Sequence, residues 1–239
     1  MSPRIAIIFG AGPGLGAAVA SAFSPSHSLV LLSRSLPGSL PKLKLTVPDD
    51  QILALSSDGS LNSMQVAVEA MKKKWPSGVV DVGVYNMGGG YNPQSFLKYE
   101  TKDLMSGLEG GVIYAFSFAQ IMMPLLLKQG GSLIFTGATM SLRGGADFSA
   151  QAPGMFARRA LSQSLAREFG PQGVHVSHVI LDGLIDTPRI QDWAGEDKEN
   201  TRLKPEDIAQ QYVMLANQPK SAWTQELDLR WGNPPLKVI

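Results

Sequence analysis

Six apolar runs of strand length recur along this 239-residue chain, at Ile5–Phe9, Leu29–Leu32, Ile52–Leu55, Val79–Tyr85, Ser132–Phe135 and Val174–Leu181. Helical stretches lie between them, among them Gly14–Phe23, Ser60–Lys74, Leu104–Leu127 and Gly154–Phe169. The last carries Phe156, Ala160, Leu161, Leu165 and Phe169 at helical spacing. Runs that are continuously apolar belong to strands buried on both faces, and strand–helix alternation points to parallel pairing through right-handed crossovers. The sequence therefore predicts an α/β fold, a doubly wound parallel sheet with helices on both faces. No linker or compositional break divides residues 1–239, which are expected to form one domain.

In a doubly wound sheet, ligands gather beyond the carboxyl ends of the strands. The first run breaks there into Gly10-Ala-Gly-Pro13-Gly14-Leu15-Gly16 and then into an Ala-rich helix. Glycine is needed where the backbone turns with positive φ, and where a Cβ would hold a phosphate away from the N–H groups of a helix start. The spacing departs from G-x-G-x-x-G because Leu15 stands where the last glycine would be. The layout suits a dinucleotide in a Rossmann-type site. After the second run come Ser33 and Arg34, where a carboxylate would otherwise bond the ribose hydroxyls of NAD. An acid would repel a 2′-phosphate, whereas Arg34 forms a charge-assisted pair with one, so NADPH is the expected cofactor. Asp58, after the third run, either accepts from the adenine amino group or starts the next helix.

Composition removes several function classes. The chain has no cysteine, which excludes thiol catalysis, Cys-ligated metals and disulfides. Its net charge is +1 and its one basic run, Lys72-Lys73-Lys74, ends a helical segment, so nucleic acid is not an expected partner. The uncharged stretch Gly110–Leu127 contains Gly110, Gly111, Ser117, Gln120 and Pro124; it is read as a helix buried against a sheet and a partner subunit rather than as a membrane span. The first strand follows Met1 so closely that no targeting segment is expected, and a cytoplasmic location is the default. His175 and His178, three apart on one strand, fall on opposite faces, and no metal site is expected. The pair Arg158-Arg159 is expected to face solvent or a subunit contact, with Arg158 within reach of an anionic substrate.

Over nearly its whole length the chain resembles a short-chain dehydrogenase/reductase. The glycine loop is similar to that family's cofactor loop, Asn86-Met87-Gly88 to its Asn-Ala-Gly after the fourth strand, and Leu165-Ala166-Arg167-Glu168 to the end of its active-site helix. Gly183-Leu184-Ile185-Asp186-Thr187 resembles its Pro-Gly-x-x-x-Thr segment, while Pro205–Ala209 and Trp223–Leu227 match its closing helix and strand. The resemblance implies that Asn86, Met87, Gly88, Ile185 and Thr187 hold the cofactor, and that the helices at Gly110–Leu127 and Gly154–Phe169 pair subunits into a homodimer or homotetramer.

The resemblance also implies a tyrosine that protonates a carbonyl oxygen and a lysine four residues later. Counting back from Leu165 places Gln151 and Met155 at those positions, with Ala138 at a serine position and Gly111 at an asparagine position. None of the five tyrosines has a lysine four residues on. Neither glutamine nor methionine transfers a proton at neutral pH. Thr139, Arg143 and Asp147, on the segment before the altered helix, and Asp182, in place of a family proline, are therefore the candidate catalytic groups, with the acids holding a cationic substrate. This pattern is similar to fungal bifunctional reductase/Diels–Alderases, which reduce an iminium-type intermediate and guide a cyclisation. The expected substrate is a small hydrophobic molecule that accepts hydride without protein-supplied protons. An ordinary carbonyl reductase using Thr139 or water, and a cofactor-binding regulator without turnover, are the alternatives.

Overall fold

A computed structural model describes residues 2–88 and 92–232. Its strands β1 (Arg4–Phe9), β2 (Ser28–Ser33), β3 (Ile52–Ser56), β4 (Val79–Tyr85), β5 (Gly131–Thr136), β6 (Val174–Asp182) and β7 (Glu226–Arg230) form one seven-stranded sheet in the order β3-β2-β1-β4-β5-β6-β7. Every pairing is parallel. The doubly wound sheet read from the apolar runs is the observed fold.

Side chains alternate across the sheet, so each strand supplies two cores. Ile5, Ile7 and Phe9 join Val30, Leu32, Leu133 and Phe135 on one face, under helices α2 (Leu61–Lys74) and α4 (Tyr114–Leu126). Ala6 and Ile8 join Leu29, Leu31, Val82, Val84 and Ile134 on the other, under α1 (Leu15–Phe23) and α7 (Pro205–Ala216). Two covered faces explain why the inner strands read as unbroken apolar runs. The edge strand β7 is different: only Leu227 and Leu229 turn toward the core, between Glu226, Asp228 and Arg230. It carries no apolar run.

The helix expected over Leu104–Leu127 is divided into α3 (Thr101–Leu108), a π-helical turn (Glu109–Ile113) and α4. Two adjacent glycines, Gly110 and Gly111, weaken helical propensity at the break. Close packing completes the cause, because an added Cβ at Gly111 would lie 2.6 Å from Gly154 Cα on α5 (Ala152–Phe169). By length and composition, residues 101–126 are apolar enough to cross a bilayer. Here Ala115, Phe118, Ala119, Met122, Met123 and Leu126 are buried against the sheet. The opposite side of this run leaves Ile113, Phe116 and Leu127 exposed.

Candidate functional site

A cavity of about 850 Å³ opens along the carboxyl ends of β2, β1, β4 and β5, crossing the point where strand order reverses between β1 and β4. The glycine loop forms its floor, with Gly10, Gly12 and Leu15 lining it. Gly10 has φ 93°, and a Cβ there would lie 2.5 Å from the Asn86 carbonyl oxygen, so only glycine lets the loop pass β4 at this distance. At Gly16 a Cβ would run into the Gly10 carbonyl oxygen; this glycine seats α1 against the loop. Helix α1 begins at Leu15 with no side-chain cap and no acid in its first turn. Its leading N–H groups remain available to an anion. Pro13, Gly14 and Gly16 shape this turn without lining the cavity, and a Cβ at Gly14 would meet the Thr187 methyl at 2.7 Å.

Ser33, Arg34 and Ser35 line the β2 end, with Arg34 exposed at the rim. Ser57, rather than Asp58, lines the cavity after β3. Asp58 accepts from the Ser60 backbone N–H at 2.9 Å, the helix-start role of its two readings. Hydrogen bonding at Ser60 and Ser63 holds its carboxyl down at about 2. Asn86, Met87 and Gly88 line the β4 end, where the Asn86 amide donates to the Gly10 carbonyl at 3.2 Å and ties loop to strand. Residues 89–91 lie outside the described residues. Ile185 also lines the cavity, whereas Thr187 caps α6 (Pro188–Ala194), accepting from the Ile190 N–H at 3.4 Å.

The inner wall is built by Thr136, Gly137, Ala138, Met140, Gln151, Met155, Arg158 and Leu181. Ala138, Gln151 and Met155 thus meet at the positions implied for serine, tyrosine and lysine. The Gln151 side chain is buried; its carbonyl accepts from the Tyr99 hydroxyl at 3.0 Å.

None of the four residues expected to be catalytic borders the cavity. Thr139, Arg143 and Asp182 do come together, but with one another. The Thr139 hydroxyl donates to Asp182, whose other carboxylate oxygen lies 3.7 Å from Arg143 and 3.3 Å from Arg230. Arg230 is the residue paired with Asp182 across the β6–β7 ladder, so the edge strand neutralises this acid. Asp147 is exposed with φ 66°, and its backbone carbonyl accepts from the Tyr99 hydroxyl at 2.7 Å. The charge of Asp182 is thus met by the protein's own arginines, and neither acid is among the residues lining the cavity.

Arg158 requires the opposite correction. It is 1 % exposed, buried where solvent or a subunit contact was expected. Nε donates to the Gly111 carbonyl at 2.7 Å, Nη1 to Thr136 at 2.5 Å, and Nη2 to Met87 at 2.7 Å and Gly110 at 2.6 Å. The guanidinium also stacks over Tyr85 at 4.7 Å, and the Tyr85 hydroxyl donates to the same Gly110 oxygen at 2.7 Å. Burial pushes the Tyr85 hydroxyl up to about 12. One side chain thus fastens the ends of β4 and β5 to the π-helical turn, whose disturbed ladder presents carbonyls to it. Burial lowers the Arg158 pKa, yet a guanidinium stays protonated at neutral pH.

Its neighbour Arg159 makes a bidentate pair with Glu226, at 2.6 and 2.8 Å. His175 is structural, with its ring nitrogens 3.1 Å from the Leu215 carbonyl and 2.9 Å from that of Thr224. His178 is fully buried, 3.6 Å from Glu226. Desolvation, reinforced by Arg158 and Arg159 against the opposing pull of Glu226, lowers its pKa to about 4. Between that value and the 6.5 of the unfolded chain, the unfolded state binds the extra proton, so stability rises with pH through this window. Unfolding followed by denaturant is expected to show a loss of up to about 3 kcal/mol from pH 6.5 down to pH 4. His178→Asn should flatten that slope; an unchanged slope would place its source elsewhere.

Among the described residues, three arginines, Arg34, Arg158 and Arg189, line the cavity, and no carboxylate does. The donors at the α1 start and this cationic lining fit a phosphate-bearing dinucleotide. Meso-2,3-butanediol dehydrogenase of Serratia marcescens is 29% identical over 233 residues, covering 91% of this chain and 89% of its own. A 3alpha-hydroxysteroid dehydrogenase of Mediterraneibacter gnavus is 26% identical over 236 residues, 94% of each chain. The alcohol dehydrogenase of the archaeon Thermococcus sibiricus, solved with 5-hydroxy-NADP, matches the fold with a TM-score of 0.82 at 24% identity, over 97% of this chain and 98% of its own. The family profile described as short chain dehydrogenase matches residues 4–198, from β1 through the cofactor loop and the inner wall to the segment after β6. By that match this chain belongs to the short-chain dehydrogenase family.

Proposed function

We propose that this chain is an NADP(H)-dependent oxidoreductase acting on a small, largely apolar substrate that needs no proton from the protein as hydride moves. The carrying observation is a cavity whose described lining holds three arginines and no acid. Arg34 would pair with the 2′-phosphate, and the α1 start with its glycine loop would take the pyrophosphate. NADP(H), when bound, supplies or accepts the hydride. Met140, Met155 and Leu181 give the inner wall an apolar part, while the Gln151 amide orients by hydrogen bonding without changing charge.

Among the described lining residues, the titratable side chains are the three arginines. Thr139, the alternative donor, is committed to Asp182. An activated acceptor is favoured for this reason. An iminium ion takes hydride without a proton and so suits the missing donor, but the acids that would hold its charge, Asp147 and Asp182, are not among the lining residues. A conjugated carbonyl, neutral on entry, fits the cationic lining better. Exposed Ile113, Phe116 and Leu127 on and flanking α4, and Phe156 on α5, support pairing of two or four copies through these helices.

The test is cofactor affinity. Arg34→Glu is expected to weaken NADPH binding about 100-fold and NADH binding far less, read by fluorescence titration. Equal affinity of the unaltered protein for NADPH and NADH would overturn the assignment.

A further inference from the structure

We infer that Arg158 makes the inner end of the cavity select the redox state of the cofactor, accepting the neutral reduced nicotinamide and disfavouring the positively charged oxidised ring. The inference rests on the NADP(H) reading above. It begins from the order of lining residues along the sheet. Arg34 stands at the β2 end, Gly10 and Gly12 at the β1 end, Met87 at the β4 end and Ala138 at the β5 end. A dinucleotide with its 2′-phosphate at Arg34 and its pyrophosphate at the α1 start extends from there toward β4 and β5, where Arg158 forms part of the wall.

Arg158 cannot withdraw its charge from that end. It is fixed by four carbonyls from three separate segments, the β4 end, the β5 end and the π-helical turn. It cannot deprotonate at neutral pH either. Carbonyl dipoles and the Tyr85 face stabilise the cation without bringing a negative charge to it. Among the described residues, no carboxylate forms an ion pair with Arg158; the adjacent pair on β7 and α5 is closed, with Glu226 taken by Arg159. A buried cation without a counter-ion interacts strongly with any further charge placed near it. Oxidised nicotinamide adds a positive charge at this end of the cavity, and reduced nicotinamide adds none. The two forms are otherwise the same ligand.

Calorimetric titration of the full-length protein with NADPH, NADP+ and 2′-phospho-ADP-ribose, which lacks nicotinamide, tests this. NADPH should bind about tenfold more tightly than NADP+, and NADP+ no more tightly than 2′-phospho-ADP-ribose. The discrimination should persist from about pH 6 to about pH 9, because a guanidinium does not titrate there, and it should survive Arg189→Gln. NADP+ binding as tightly as NADPH, discrimination that vanishes within that pH range, or its loss in Arg189→Gln would each overturn the role of Arg158 while leaving the cofactor assignment standing. Failure of all three ligands to bind would overturn both.

Discussion

Arg158→Leu is expected to leave no cooperatively folded protein. Leucine retains part of the volume and none of the donors. Carbonyls of Met87, Thr136 and Gly111 would each lose a charge-assisted hydrogen bond in a place water does not reach, and Gly110 would keep only the Tyr85 hydroxyl. A buried acceptor left without its partner costs about 1–3 kcal/mol, and more where the bond was to a charge. Three or four such losses together approach the whole stability of a domain, about 5–15 kcal/mol. Far-ultraviolet circular dichroism and thermal melting read the outcome. Arg158→Lys, with three donors at the end of a flexible stem, should fall between leucine and the parent. A leucine variant melting cooperatively within a few degrees of the parent would show that water replaces the lost donors.

The second large effect is expected at Gly154. A Cβ there would run into the Gly107 carbonyl oxygen, and would also stand 3.0 Å from Gly111 Cα and 3.2 Å from the Gly107 carbonyl carbon. All are backbone atoms, so no side chain can rotate aside. Gly154→Ala must instead push α5 away from α3 and the π-helical turn, which is expected to destabilise by about 3 kcal/mol. The same movement carries Arg158 away from its four carbonyls, one turn further along α5. Stability should therefore fall, and the preference for NADPH over NADP+ should shrink with it. Gly144→Ala is the control, since nothing lies within 4 Å of a Cβ there. A Gly154→Ala variant as stable as Gly144→Ala would mean that the helices part at little cost.

The fold was legible because the inner strands are covered on both faces, and doubly covered strands advertise themselves as apolar runs. β7 escaped that signal because only Leu227 and Leu229 face inward from the sheet edge. The resemblance placed a closing strand at Trp223–Leu227 but stopped short of Arg230, and without Arg230 beside it Asp182 reads as a free acid. The cofactor loop was legible because glycine's steric demands are local. Arg158 was not. Whether an arginine on a helix faces solvent or four carbonyls depends on how closely another helix approaches, and that closeness came from Gly107, Gly111 and Gly154, far apart in sequence. The Gly110-Gly111 pair inside an otherwise apolar helix was the available sign that the helix breaks there.

The strand order carries a consequence for synthesis. β1 leaves the ribosome before the other six strands of its sheet, yet it lies between β2 and β4, and its β4 edge has no partner until residues 79–85 have been made. Through that interval the nascent chain presents Ile5, Ile7 and Phe9 on a strand with one unpaired edge, a surface prone to wrong pairing. Codon changes that slow translation between β2 and β4 should lengthen this exposure, and the yield of folded protein should fall without any change in its sequence.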